Sequence, residues 1–384
     1  MRILVLVARD WRHPRAAGGD RHIGLLAREL AAAGFDVTLW GATDPSLPRA
    51  ETCDGVQVRR LAPPRLLAPV VWARLRFRSR PGPSLIIEEV MGGERTPFLA
   101  RLWSPIPTVG FWYQDNRPLF ADQYGPVARR LAGVVQALLL LVYRHGYLLT
   151  PSRGSEEWLI GQGVAPHRVA VFFVRADPAG LADASRPFSE RRDRIVSVGN
   201  FRPLKRFEEA IAVLVEVLRH HPGAELVLIG RREDPNYLAD LRRKVQLQGV
   251  QARVRFAVDI PEAEKYRLLS EAKVLTIHSH IEGFGLTLCE AGLCGVPAVV
   301  NPGVPDDAFR EGVSGWRLPF GDVAGYARAC TRLLREEETW NRLSRGAIET
   351  ARPYTSSGLD SKVVQLLSLA VTSASHRDLR QPAE

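Results

Sequence analysis

His278-Ser-His-Ile-Glu282-Gly-Phe-Gly285-Leu-Thr-Leu-Cys-Glu290-Ala-Gly-Leu-Cys-Gly295-Val-Pro297-Ala-Val-Val300 is the stretch on which the reading of this chain turns. The β-branched and apolar run Val274 to Ile277 ahead of it predicts a strand, the Gly-containing turn ends that strand, and Thr287 to Cys294 predicts a helix. A second strand, Ala298 to Val300, follows at once. Strand, helix and strand joined this tightly make a parallel crossover unit, in which the helix opens toward the carboxyl ends of the strands. The amides of a helix's first turn have no partner inside it, and the positive end of the helix faces the same way, which suits a phosphate. Glu282 stands just before the turn and Glu290 eight residues later. Ionised carboxylates accept hydrogen bonds from sugar hydroxyls and repel the phosphate itself, so the pair flanking an anion site points to a hydroxyl-rich, phosphorylated ligand.

The same alternation extends outward. Upstream lie strand Arg194 to Val198, the turn Gly199 to Lys205, and a helix from Phe207 to His220 whose Ala210, Ile211, Leu214, Val217 and Leu218 share one face. Strands at Glu225 to Ile229 and Val254 to Phe256 and helices at Tyr237 to Gln248 and Glu262 to Ser270 complete the block. An earlier block repeats the design, with strands at Ile3 to Val7, Val37 to Trp40, Leu85 to Ile87, Thr108 to Phe111, Tyr147 to Thr150 and Val169 to Phe173. Its helices fit His22 to Ala33 and Val127 to Tyr143. The low-hydrophobicity segment Arg175 to Arg192 reads as a linker. The fold class is therefore α/β, two doubly wound domains in series at 1–178 and 193–355, with a ligand crevice expected between them. A helix at Ser361 to Ala370, within 356–372, follows, and the polar residues 373–384 are expected to be a disordered tail.

Composition narrows the class. With 384 residues, 46% apolar content and 24% charged residues, there is material for two or three cores, and disordered, collagenous and coiled-coil classes are excluded. No apolar stretch approaches the roughly 20 residues of a membrane span; the longest, Val134 to Tyr143, contains Gln136. Met1 to Ala8 reads as a first strand in preference to a signal peptide, which favours a cytoplasmic location. Four cysteines without ligand spacing argue against zinc and disulfide scaffolds. Of the net charge of +10, +7 falls in residues 1–185, and the run Val56 to Ile87 holds Arg59, Arg60, Arg65, Arg74, Arg76, Arg78 and Arg80 without one acid. Such a patch attracts anions: a phosphorylated acceptor or an acidic membrane surface fits, a merely solvated face fits as well, and nucleic acid is not expected because no aromatic-interleaved or helix-turn-helix pattern accompanies it. Arg outnumbers Lys 47 to 5, which suggests a high-GC bacterial source.

The stretch 278–300 resembles the E-x7-E signature of retaining, nucleotide-sugar-dependent GT-B glycosyltransferases, the glycosyltransferase family 4-like or "group 1" enzymes. The resemblance runs through Gly18-Gly19, Val198-Gly199-Asn-Phe-Arg202-Pro-Leu-Lys205, the block Glu282 to Glu290, and Pro302 to Trp316. It implies two Rossmann-like domains facing across a cleft. It further implies that Glu282 holds donor-sugar hydroxyls, that Glu290 holds the ribose, and that the amides of Phe284, Gly285 and Leu286 receive the diphosphate. Lys205 matches the diphosphate lysine; a fixed cation stabilises the nucleoside diphosphate leaving group more in the transition state than before it. The arginine that directly follows the turn glycine in relatives is Asn200 here, so either Arg202 reaches the same phosphate or one cation is missing. Gly18 and Gly19, ahead of the first helix, let backbone approach the diphosphate. Relatives carry a histidine where this chain has Tyr113, with Gln114 and Asp115 beside it; Phe111, Trp112 and Tyr113 fit strand-end packing equally.

Other residues carry two readings each. His13, Arg15 and Arg12 face an acceptor or belong to a surface loop. His278 and His280 lack a third ligand at metal spacing and fit packing or ligand hydrogen bonding better. Cys289 reads as a small buried side chain and not a nucleophile, and Glu88 and Glu89 touch an acceptor or, the better fit, face solvent at a strand end. The expected activity is transfer of a sugar, with retention, from a nucleoside diphosphate sugar (UDP- or GDP-sugar) to an acceptor hydroxyl, without metal or other cofactor. The acceptor is an envelope polysaccharide, a small molecule, an aromatic natural product against Trp103, Trp112 and Tyr113, or a lipid-linked or phosphorylated compound reached by peripheral contact at the inner face of a membrane. A nucleotide-sugar epimerase and a catalytically silent binding partner are the rivals.

Overall fold

A computed structural model describes residues 1–14, 16, 18–77, 82–90, 98–176, 186–355 and 358–378, without the side chains of 118, 119, 121–124 and 374–378. Arg15, Arg78, Arg80 and part of the expected linker lie outside the described residues. The chain forms two compact units: Met1–Arg117, Pro126–Val174 and Ser357–Glu384 make the first, Pro118–Gly125 and Arg175–Ser356 the second.

The first unit is built on β1 (Arg2–Leu6), β2 (Asp36–Ala42), β3 (Ala50–Cys53), β4 (Val56–Ala62), β5 (Leu85–Glu89), β6 (Thr108–Phe111), β7 (Tyr147–Thr150) and β8 (Val169–Val171). Their order across the sheet is β3-β4-β2-β1-β5-β6-β7-β8, and every pairing is parallel except β3 with β4. The chain leaves β1 toward β2 on one side and returns to β5 on the other, so the order reverses between β1 and β5. Alternation of side chains gives the sheet two apolar faces. On one, Ile3, Val5, Leu39, Ile87 and Phe111 pack under α1 (Gly18–Ala32) and α12 (Ser361–Asp378). The α1 residues that dock, Ile23, Leu26, Ala27 and Leu30, recur at helical spacing; burying each large one contributes about 1.5 to 3 kcal/mol. On the other face, Leu4, Leu6, Ile86 and Leu148 pack under α2 (Pro64–Arg76), α3 (Ala100–Trp103), α4 (Arg117–Tyr143, kinked at Gly125) and α5 (Arg153–Gly161).

The second unit holds β9 (Arg194–Val198), β10 (Glu225–Gly230), β11 (Val254–Val258), β12 (Val274–Thr276), β13 (Ala298–Val300) and β14 (Gly315–Arg317), all parallel, in the order β11-β10-β9-β12-β13-β14. Here the order reverses between β9 and β12. The helices are α6 (Phe207–Leu218), α7 (Pro235–Leu247), α8 (Glu262–Ser270), α9 (Leu286–Leu293), α10 (Val323–Arg335) and α11 (Glu337–Ala351). The core centres on Ile195, Phe201, Ile211, Leu214, Leu228 and Trp340.

The α/β class and two doubly wound sheets follow the sequence reading, while the readings of Arg60 and of Glu88 and Glu89 are corrected. Arg60, read as part of an anion-attracting patch, is internal: Nε and Nη2 donate to Asp10 at 2.7 and 3.0 Å, and Nη1 to the Pro48 carbonyl at 2.6 Å. Strand alternation turns Arg60 inward while Arg59 stays exposed. Arg191, near the end of the expected linker, donates to the Ala272 and Cys294 carbonyls and stacks over Trp340. Burial pushes its guanidinium down to about 10. Helix α12 runs to Asp378, and residues 379–384 of the expected tail lie outside the described residues. Glu88 and Glu89, expected in solvent, are buried.

Candidate functional site

In the second unit the loops after β9 and β12 meet at the point where strand order reverses. Phe201 and Leu204 are buried, Phe201 against Phe207 at 5.1 Å, so the turn after β9 is pinned by its apolar residues and leaves its cations outside. A short 3-10 turn, Pro203–Lys205, passes through Arg206, in the left-handed region at φ 50°, into α6. Gly199 is required by close approach: a Cβ there would stand 2.9 to 3.1 Å from the Lys205 stem, which runs across it. Gly230 is tighter still, since its Cβ would fall 1.7 Å from the Gly199 carbonyl oxygen.

Lys205 Nζ donates to Glu282 Oε1 at 2.7 Å, and Ser279 Oγ donates to the same oxygen at 2.6 Å. The Glu282 amide donates to the Gly303 carbonyl. Asn301, nearly inaccessible, donates to the Ser279 carbonyl and accepts from the Gly303 amide, and so ties the two loops together. Gly303 could not carry a side chain, because its Cβ would meet the His280 carbonyl oxygen at 2.2 Å. Gly285, at φ 88°, turns the chain into α9, whose first residue is Leu286. Phe284 is buried edge-on against Tyr354 at 5.0 Å, which fixes the approach to that helix. Glu290, one turn into α9, receives Lys265 Nζ at 2.7 Å. Burial opposes the Lys265 charge, but Glu290 and Glu262 outweigh it and hold its pKa above the ordinary lysine value. Lys205, Glu282, Gly285, Leu286 and Glu290 are thus gathered at one end of one sheet. Arg202 and Asn200 both donate to Glu233, at 3.2 and 2.7 Å.

The residues that sequence reasoning missed are Ser279, Asn301 and Lys265. Ser279 sat inside the decisive stretch, whereas nothing local to Asn301 or Lys265 marks them, since their partners lie 22 and 25 residues away. His278 is buried against Tyr326 at 4.6 Å with Nδ1 3.5 Å from Glu209; burial lowers its pKa despite that carboxylate. His280 packs edge-on against Phe320. Among the described residues no group of three His, Cys, Asp or Glu could hold a metal. Cys289 is buried, and burial with the charges of Glu290 and Asp307 pushes its thiol well up, as suits a packed side chain.

In the first unit, Gly18 and Gly19 open α1 after β1. Tyr113 Oη donates to the Gly19 carbonyl at 2.9 Å, and a Cβ on Gly19 would press on the Tyr113 ring at 3.2 Å. Glu89 ends β5, fully enclosed, and accepts from the Ala8 amide at 3.2 Å; burial first, and the Asp20 charge second, push it up to about 7. Burial with the charges of Glu89 and Asp20 raises Tyr113 well above its ordinary value. Glu88 is committed to structure, accepting from the Ala100 and Arg101 amides and from Tyr143 Oη at 2.6 Å. Asp115 is likewise occupied, by Arg117 and Gln136. Trp112, weighed above as an acceptor contact, is a core residue stacked on Trp158. His13, too, is buried, beside Asp44, and Arg12 pairs with Glu51.

Two parallel-sheet, Rossmann-like units in series define the GT-B class, and residues 182–350 match the family "Glycosyl transferases group 1" while residues 17–174 match the "Glycosyl transferase 4-like domain". A D-inositol 3-phosphate glycosyltransferase of Frankia alni is 30% identical over 377 residues, covering 88% of this chain and 91% of that protein. The chain belongs to the group 1 glycosyltransferase family. Sucrose-phosphate synthase from Thermosynechococcus elongatus shares the fold at a TM-score of 0.73 and 20% identity, covering 98% of both chains. Anabaena Alr3699/HepE, solved in complex with UDP-glucose, does so at 0.67 and 16%, covering 98% of this chain and 100% of that one.

Proposed function

We propose that this chain transfers a glycosyl group from a nucleoside diphosphate sugar to an acceptor hydroxyl with retention of configuration at the anomeric carbon. The observation that carries the reading is the Lys205–Glu282 pair, 2.7 Å apart, at the strand-order reversal of the second unit and beside the opening of α9. It places a cation for a leaving diphosphate next to a carboxylate for sugar hydroxyls, in a member of a glycosyltransferase family. The amides of Gly285 and Leu286 receive phosphate oxygens, Glu290 accepts from ribose hydroxyls, and Lys265 holds Glu290 in place through their 2.7 Å contact. UDP-glucose in the related Anabaena protein supports a nucleoside diphosphate sugar as the donor class.

The bond between the anomeric carbon and the β-phosphate oxygen breaks with its electron pair remaining on the phosphate. The acceptor oxygen bonds to the same face of that carbon, and its proton passes to the departing phosphate oxygen. Lys205 stabilises the charge that grows there, and its bond to Glu282 must loosen as the diphosphate arrives. Neither metal nor other cofactor has a step to perform.

The test is a donor panel of UDP-, GDP-, ADP- and dTDP-sugars, scored by thermal protection and then by transfer, with product anomers assigned by proton coupling constants. Retained configuration in the product supports the reading. An inverted product, an epimerised donor formed without acceptor, or donor affinity with no turnover across an acceptor panel overturns it.

A further inference from the structure

The outer surface of the helical layer α2, α3 and α4 is apolar and cationic at once. Helix α4 buries Leu139, Leu140 and Tyr143 against the sheet, yet its opposite face carries Val127, Leu131, Val134, Leu138 and Leu141, each more than half exposed. Their spacing of four, three, four and three residues keeps them in one stripe along a segment of 18 residues, about 27 Å long. On the same side of the sheet Leu102 projects from α3, and Trp72 and Phe77 form an exposed edge-to-face pair at α2. Ten of the fifteen exposed large apolar side chains among the described residues lie on this one layer, which separates it from ordinary scattered surface residues. Glu88 and Arg101 bind the layer together: Glu88 caps α3 and accepts from Tyr143 of α4, and Arg101 Nε donates to the Val142 carbonyl at 2.8 Å.

The charge says what covers it. Arg65, Arg74 and Arg76 on α2, Arg129 and Arg130 on α4, and Arg144 at its end are exposed, and no salt bridge engages any of them among the described residues. Helices α2 and α3 and the segment of α4 from Pro126 to Tyr143 contain no acid. A second copy docking face to face would set these arginines against one another. A surface that is apolar below and anionic above fits both features: leucines enter the boundary of the hydrocarbon while arginines meet phosphates. Gly125–Tyr143 is by length and composition long and apolar enough to cross a bilayer, which corrects the reading that no stretch approaches that length, but its inner face is committed to the sheet.

We propose that the α2–α3–α4 layer docks the first unit onto an anionic lipid bilayer, with α4 lying along the interface. The full chain should float with phosphatidylcholine vesicles that contain phosphatidylglycerol, bind neutral phosphatidylcholine vesicles weakly, and be released by salt. Arg129→Ala with Arg130→Ala should weaken binding roughly thirtyfold. The triple change Leu131→Ser, Leu138→Ser and Leu141→Ser should weaken it at least about tenfold while leaving the unfolding midpoint unchanged or raised. No vesicle binding at low salt, equal binding to neutral vesicles, or full binding by the triple variant overturns the proposal. So does a dimer in light scattering that the triple variant abolishes without vesicle binding, since a second copy would then be the occupant.

Discussion

Both sheets reverse strand order at their centres, β1 against β5 in the first unit and β9 against β12 in the second, and both place a glycine-opened helix beside that point. The residues set there differ in kind. The second unit presents two cation–carboxylate pairs, Lys205–Glu282 and Lys265–Glu290, on side chains that remain partly accessible. The first presents Glu89 and Asp20, two enclosed carboxylates close enough to raise the Glu89 pKa, with Arg9 at 3.4 Å from Asp20. Common topology therefore fixes where loops converge, while side-chain charge decides what they can do. Paired ions can exchange partners with an incoming diphosphate; an enclosed carboxyl raised to about 7 holds its charge less firmly.

Four measurements break or sharpen that contrast. Lys205→Ala should lower kcat/KM by roughly 100- to 1,000-fold, the scale on which loss of one preorganised charge stabiliser is felt. A change in stability alone, with turnover intact, would make the Lys205–Glu282 pair structural. Gly230→Ala should destabilise the second unit by roughly 3 kcal/mol in urea unfolding, because the new methyl would stand on the Gly199 carbonyl and displace the turn that carries Lys205.

Glu89→Gln tests the first unit through pH. The folded chain keeps a proton to about 7 that the unfolded chain releases near the ordinary value of 4.5, so between these values the folded state binds more protons and stability falls as pH rises. The variant should be more stable than the parent by roughly 3 kcal/mol at pH 8, with the gain vanishing toward pH 4. A constant difference across that range would refute the enclosed-carboxyl picture. Smallest is Arg202→Ala, which removes an exposed pairing with Glu233 and should cost roughly fivefold or less in kcat/KM. A loss equal to that of Lys205→Ala would assign Arg202 to the diphosphate.

The second unit was the more legible in sequence. Its decisive acids, Glu282 and Glu290, lie on one continuous stretch whose strand, turn and helix follow from local pattern, and the turn from Gly199 to Lys205 is equally local. In the first unit strand β4 and helix α2 were hidden inside the arginine-rich run from Val56, and strand β3 just ahead of it carries no strand pattern. Glu88 and Glu89 read as solvent-facing because two consecutive acids at a strand end ordinarily are. Their burial depends on amides from Ala8, Ala100 and Arg101, donors that no nearby residue announces.

Sequence alone determined the alternation of strands and helices, the two doubly wound halves and the residue types at the second unit's strand ends, because periodicity and turn chemistry act over a few residues. Tertiary structure alone decided which charges meet: Lys205 with Glu282, Lys265 with Glu290, Arg60 with Asp10, and Glu88 with the α3 cap. It also left one face of α4 without cover. Partner choice and burial depend on which segments the sheet order brings side by side, and that juxtaposition spans tens of residues that carry no local mark of it.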